Sequence, residues 1–155
     1  MSLRLAASTE ECRLLARRFE LIDLTGLAGE IRVEPVGATG SIHVAGRLWA
    51  DVVQQCVVTL EPVPAGVEAD FDRLFSRDLP EEALGEVEID PEADSPEPLV
   101  GQVLDLGEVL AEELSLALDP YPRSQDADRL LAELQGPQAR EARMPFAPLD
   151  TLRRH

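Results

Sequence analysis

From Ser41 to Pro62 the chain alternates apolar and polar positions. Ile42, Val44, Gly46, Leu48, Ala50, Val52, Gln54, Cys56, Val58 and Leu60 share one parity, and nearly all are apolar or thiol. His43, Arg47, Asp51, Gln55 and Thr59 occupy the other. A period of two predicts a β-strand with one buried face, and it makes Leu48, Val52 and Val58 core residues. The stretch from 42 to 60 exceeds an ordinary strand, so a bend or bulge is expected, with Gly46 a candidate site. The turn expected next is Glu61–Gly66, because Pro62 and Pro64 cannot donate to a ladder. Val67, Ala69, Phe71, Arg73 and Phe75 alternate again, which predicts a hairpin. Earlier, FELIDL (19–24) and EIRVEPV (30–36) read as strands separated by Thr25-Gly26 and Gly29.

Two segments carry helical spacing instead. Ser8 and Glu11 fit a capping box, and Cys12, Leu15 and Phe19 predict an amphipathic helix over 9–18. Asp105 is the expected cap of a second helix, with Glu108 completing its box. Leu106, Val109, Leu110, Leu114 and Ala117 form the apolar stripe of this helix over 105–118. Pro120 and Pro122 require it to stop near Asp119. A third short helix is expected within 124–135, closed by Gly136-Pro137. The fold class expected is α+β, an antiparallel sheet (19–24, 30–36, 41–60, 66–76), with a barrel-like closure as an option, covered by helices. One domain would span 1–123, including an acidic loop at 78–98 with Glu86–Asp90 as a candidate strand. The stretch 124–155 would be a tail with a PFAPL docking segment.

Charge changes the picture. The net charge is −16 over 155 residues, and every base other than two histidines is arginine. Residues 78–122 hold 14 acids and no base, whereas 1–77 sum to −3 and 123–155 to +1. Such a middle segment repels nucleic acid and attracts a basic protein. A run of acids also serves simply to keep a protein in solution. No apolar run reaches the length of a membrane span, and the N-terminus lacks a secretion-signal pattern, so a cytoplasmic protein is expected. Free thiols are expected at Cys12 and Cys56.

Catalytic and metal chemistry find little support. Two cysteines and two histidines without a CxxC do not suggest zinc, and the acids lack the spacing of a calcium loop. His43 and Cys56 have opposite parity, which argues against a cysteine–histidine pair. Trp49 could stack on a base, but its place on the polar parity beside Asp51 favours core or partner contact. No cofactor and no catalytic residue are expected, and the protein reads as a non-enzyme.

Several motifs together resemble the YceD family, the large ribosomal RNA subunit accumulation proteins, in particular an alphaproteobacterial branch. They are GRLWADVVQQCVVTLEPV (46–63), the hairpin return with Phe71 and Phe75, DSPEPL (94–99), LDLGEVLAEELSLALDPYPR (104–123) and the tail PFAPLDTL (145–152). The motif residues are Cys56, Thr59, Leu60, Glu61 and Pro62, then Leu116, Asp119, Pro120, Tyr121 and Pro122. Two departures stand out. Many members carry a CxxC where Cys56 is followed by Val57, Val58 and Thr59, and Met144 replaces the usual Asn before Pro145. The resemblance implies a cytosolic, non-catalytic factor for 23S rRNA synthesis, processing or stability. A basic ribosomal protein or assembly factor is the expected partner, through Glu81, Glu82, Glu86 and Glu88 and through Pro145, Phe146 and Leu149. The alternatives are an acidic interaction module unrelated to ribosomes, or direct rRNA contact. Direct contact would use Arg13, Arg17, Arg18 and Arg32, or Arg140, Arg143, Arg153 and Arg154.

Overall fold

The computed structural model describes residues 1–37, 40–76, 96–99 and 103–134. In chain order the elements are β1 (Ser2–Ala6), α1 (Thr9–Arg18), β2 (Asp23–Val36), β3 (Ser41–Gln55), β4 (Pro62–Ser76), β5 (Glu97–Pro98), α2 (Leu106–Ala117) and α3 (Gln125–Leu134). The class is α+β. The five strands lie in the order β1-β2-β3-β4-β5, so the sheet is open and does not close into a barrel. It is antiparallel at β1–β2 and β2–β3 and parallel where Phe75 and Ser76 meet Glu97 and Pro98. The chain divides into two compact units, Met1–Gln54 with Pro64–Pro120 and Gln55–Val63 with Tyr121–His155.

The core of the first unit is built as the alternation demands. Val44, Leu48, Ala50 and Val52 are buried with Ile31, Phe71 and Phe75. Cys12 and Ala16 of α1 join the same cluster, as do Val109, Leu110 and Leu114 of α2. The close approach of α2 needs Gly29, since a Cβ there would stand 2.6 Å from a methyl of Leu110. Gly46 has a similar reason: a Cβ would press into the Glu30 carbonyl and the Phe71 ring. Gly46 therefore lies in regular register opposite Ile31, and the expected bulge is not there.

The register shift lies instead between Thr25 and Ala28, at Gly26 with φ +65°. This bulge joins the end of the strand expected at 19–24 to that expected at 30–36 as β2, while residues 19–22 are not strand: they leave α1 through a turn in which the Leu21 N–H donates to the Ala16 carbonyl. The edge strand β1 was not anticipated; Leu3 and Leu5 are partly covered while Ser2, Arg4 and Ala6 are exposed, an alternation too short to stand out. Pro62 and Pro64 sit inside the start of β4 rather than in a turn. They share parity, so their missing N–H groups fall on one side of the strand and spare the ladder on the other. Glu86–Asp90 lies outside the described residues.

The caps follow local chemistry. At α1 the Ser8 hydroxyl accepts from the Glu11 N–H while the Glu11 carboxylate accepts from the Ser8 N–H, a complete box. The Ser8 hydroxyl and N–H both donate to the Glu11 carboxylate and hold it below its ordinary range, the hydroxyl contributing most. At α2, Asp105 accepts from the N–H groups of Gly107 and Glu108. Glu108 does not complete a box, because its carboxylate forms a bidentate pair with Arg18 (2.9 and 2.5 Å).

Candidate functional site

β3 ends at Gln55, five residues before the apolar parity runs out. The chain then turns tightly, with the Leu60 N–H donating to the Cys56 carbonyl at 3.0 Å. Leu60 takes φ +63°, a left-handed conformation costly for a branched side chain. Val58 thus stands in a turn and is only half-buried, which corrects its assignment to the core.

The second unit is organised around the Cys56 sulfur. Cys56 is fully buried, and its Sγ accepts from the N–H groups of Val58 (3.4 Å), Thr59 (3.3 Å) and Ser124 (3.3 Å). The Val57 N–H donates to the Pro122 carbonyl at 3.0 Å, and the Thr59 and Ser124 hydroxyls lie 3.0 Å apart. The Thr59 hydroxyl also donates to Glu61, and the Cys56 N–H donates to the Glu61 carbonyl. Two motifs more than sixty residues apart are thereby laced together. Burial pushes the Cys56 thiol up, but the Thr59 hydroxyl and the three N–H donors outweigh it and bring it down to about 6. Closed off from solvent, the sulfur acts as an acceptor that gathers backbone donors.

Large apolar side chains stand on the surface of this unit. Val57, Leu60 and Tyr121 are exposed, Leu60 by 66% and Tyr121 by 70%. Pro122 is buried, and Glu61 and Pro62 are exposed. In the first unit, Leu116 is exposed on α2, and the Asp119 carbonyl accepts from the Gln54 side chain at 2.8 Å. Asp119 and Pro120 close that unit. Glu81, Glu82, Glu86 and Glu88, and likewise Pro145, Phe146 and Leu149, lie outside the described residues.

A second polar cluster was missed in the sequence. Arg73, buried to 15% side-chain exposure, binds Glu97 through a fork and Glu112 at 2.6 Å, with Glu113 at 3.6 Å. Arg73 is held protonated chiefly by Glu97, and burial raises the Glu113 carboxyl. Arg73 shares the parity of Phe71 and Phe75, so an arginine on the apolar face was the available signal. His43 meets Asp72 at 2.7 Å on the opposite face of the sheet, away from any thiol. Among the described residues no group of three metal-ligating side chains converges, and no helix is long and apolar enough to cross a membrane.

The family model described as "Large ribosomal RNA subunit accumulation protein YceD" matches residues 44–153. The chain belongs to the YceD family. No curated protein and no solved structure matches it. The YceD match spans both motifs laced around Cys56. Its role lies in accumulation of large-subunit ribosomal RNA.

Proposed function

We propose that this YceD protein is a non-catalytic, cytoplasmic factor in large-subunit biogenesis that works by binding a basic ribosomal protein or assembly factor. The observation that carries this reading is the charge of 78–122, 14 acids without one base. Charge of that kind steers a basic partner from a distance and disfavours nucleic acid along that segment. The exposed Val57, Leu60 and Tyr121 supply apolar contact of the sort that anchors a protein interface. A leucine held in a strained, exposed conformation fits a contact residue better than a packing residue. The tail residues Pro145, Phe146 and Leu149 would add a short docking peptide.

The test is depletion of the protein in cells, followed by ribosome sedimentation and 23S precursor analysis. A shortage of large subunits with altered 23S is expected; a normal profile would defeat the reading. Neutralising Glu81, Glu82, Glu86 and Glu88 together should then weaken capture of the partner and flatten its salt dependence.

A further inference from the structure

Of the arginines proposed from sequence, Arg140, Arg143, Arg153 and Arg154 lie outside the described residues. Arg13 is paired with Glu10 and Arg18 with Glu108, while Arg32 stands on the sheet face turned away from α1 and α2. That face brings a different set into register. Ser2, Arg32 and Ala45 form one cross-strand row, Arg4, Glu30 and Arg47 the next, and Ala6, Ala28 and Trp49 the third. Side chains of the first two rows line a depression of about 550 Å³. Ser2 and Ala45 are small, so the space between the guanidinium groups stays open. With strands about 4.8 Å apart, Arg4 and Arg47 project from backbones roughly 10 Å apart, and Arg32 projects between them.

The donors are unequally engaged. Asp70 holds Arg47 through two bonds of 2.6 and 2.8 Å. Arg32 comes no nearer to a carboxylate than 4.0 Å, at Glu34, and is exposed. Arg4 makes no ion pair among the described residues; its guanidinium lies 5.5 Å from the Trp49 ring centroid. Glu30 sits between Arg4 and Arg47, and beyond Arg47 the face turns acidic with Glu68, Asp70 and Asp72. The β1–β3 half therefore gathers three arginines on one face, with Glu30 and Glu34 among them, on a strongly negative protein. Two exposed arginine forks, neither gripped by a close carboxylate among the described residues, beside an aromatic ring meet the needs of a nucleic-acid strand, phosphate contacts with a flat surface for a base. An acidic peptide would use the arginines and leave the ring idle.

We propose that the β1–β3 face binds single-stranded RNA, with Arg4 and Arg32 on phosphates and a base against the Arg4–Trp49 pair. The choice of RNA rests on the ribosomal reading above; the site itself rests on the geometry. The test uses the full chain and a fluorescein-labelled oligouridylate of about 12 nucleotides. Anisotropy is measured over a salt series, together with emission of Trp49, the chain's single tryptophan.

Quenching of Trp49 in step with binding is expected. The pair Arg4→Gln and Arg32→Gln should weaken binding about tenfold and lower the salt slope by about 1.4, two phosphate contacts on a single strand. The matching pair of lysine substitutions should recover part of the loss. An unchanged far-UV circular dichroism spectrum and melting temperature of the free double variant, compared with wild type, check that the sheet is intact. No binding at low salt, binding without quenching, or preference for polyglutamate over the oligonucleotide would each overturn the proposal. If RNA fails to bind while depletion still lowers large subunits, only this inference falls.

Discussion

Single positions with one physical job give the sharpest tests. Cys56 is the first. Its folded value of about 6 lies below the ordinary 9.0, so ionisation favours the folded state. That contribution is complete above the ordinary value and is lost as pH falls through 6. The stability difference between wild type and Cys56→Ser should therefore grow from pH 6 to 9 in thermal melts. A difference that does not change with pH would mean the thiol is not ionised there. Leu48, with no exposed surface, should cost about 2–4 kcal/mol on truncation to Ala, measured by urea unfolding. Gly46→Ala should cost about 1–3 kcal/mol, because the Glu30 carbonyl cannot step aside without moving its strand. Glu20 takes φ +55° where the backbone leaves α1, with the Leu21 N–H closing onto the Ala16 carbonyl. Glycine is the usual residue there, so Glu20→Gly should stabilise by about 0.5–1 kcal/mol.

At the scale of elements, local signals and packing divide the work. α1 is specified by its own residues: the box at Ser8 and Glu11 and the basic last turn at Arg17 and Arg18. Ser8→Ala should cost about 1 kcal/mol and leave the sheet unchanged by amide hydrogen exchange. The alternation of 41–55 was equally legible, since a half-buried strand has to alternate. Its end was not, because Val58 and Leu60 keep the parity of the strand after the backbone has turned. A hydrogen-bonded turn closed on a sulfur leaves no trace in a hydrophobic pattern. β2 failed for a related reason: a Thr-Gly pair reads as a turn, and only pairing on both sides with β1 and β3 makes it a bulge. β4 is held to α2 and β5 through Arg73, which no local rule requires.

For the whole molecule, the uneven charge decides what can approach it. A partner drawn by the acidic segment should associate more slowly as salt rises, with little change in its dissociation rate, as stopped-flow mixing would show. The sequence by itself determined the α+β class, both main helices, most of the core and the acidic character, because each follows from local periodicity, capping or composition. It also carried the family motifs. Only the tertiary structure decided that the sheet stays open, that two distant motifs close around one sulfur, and that Arg4, Arg32 and Arg47 share a face. Those depend on strand order and register, and contacts between residues far apart in the chain exist only once the backbone brings them together.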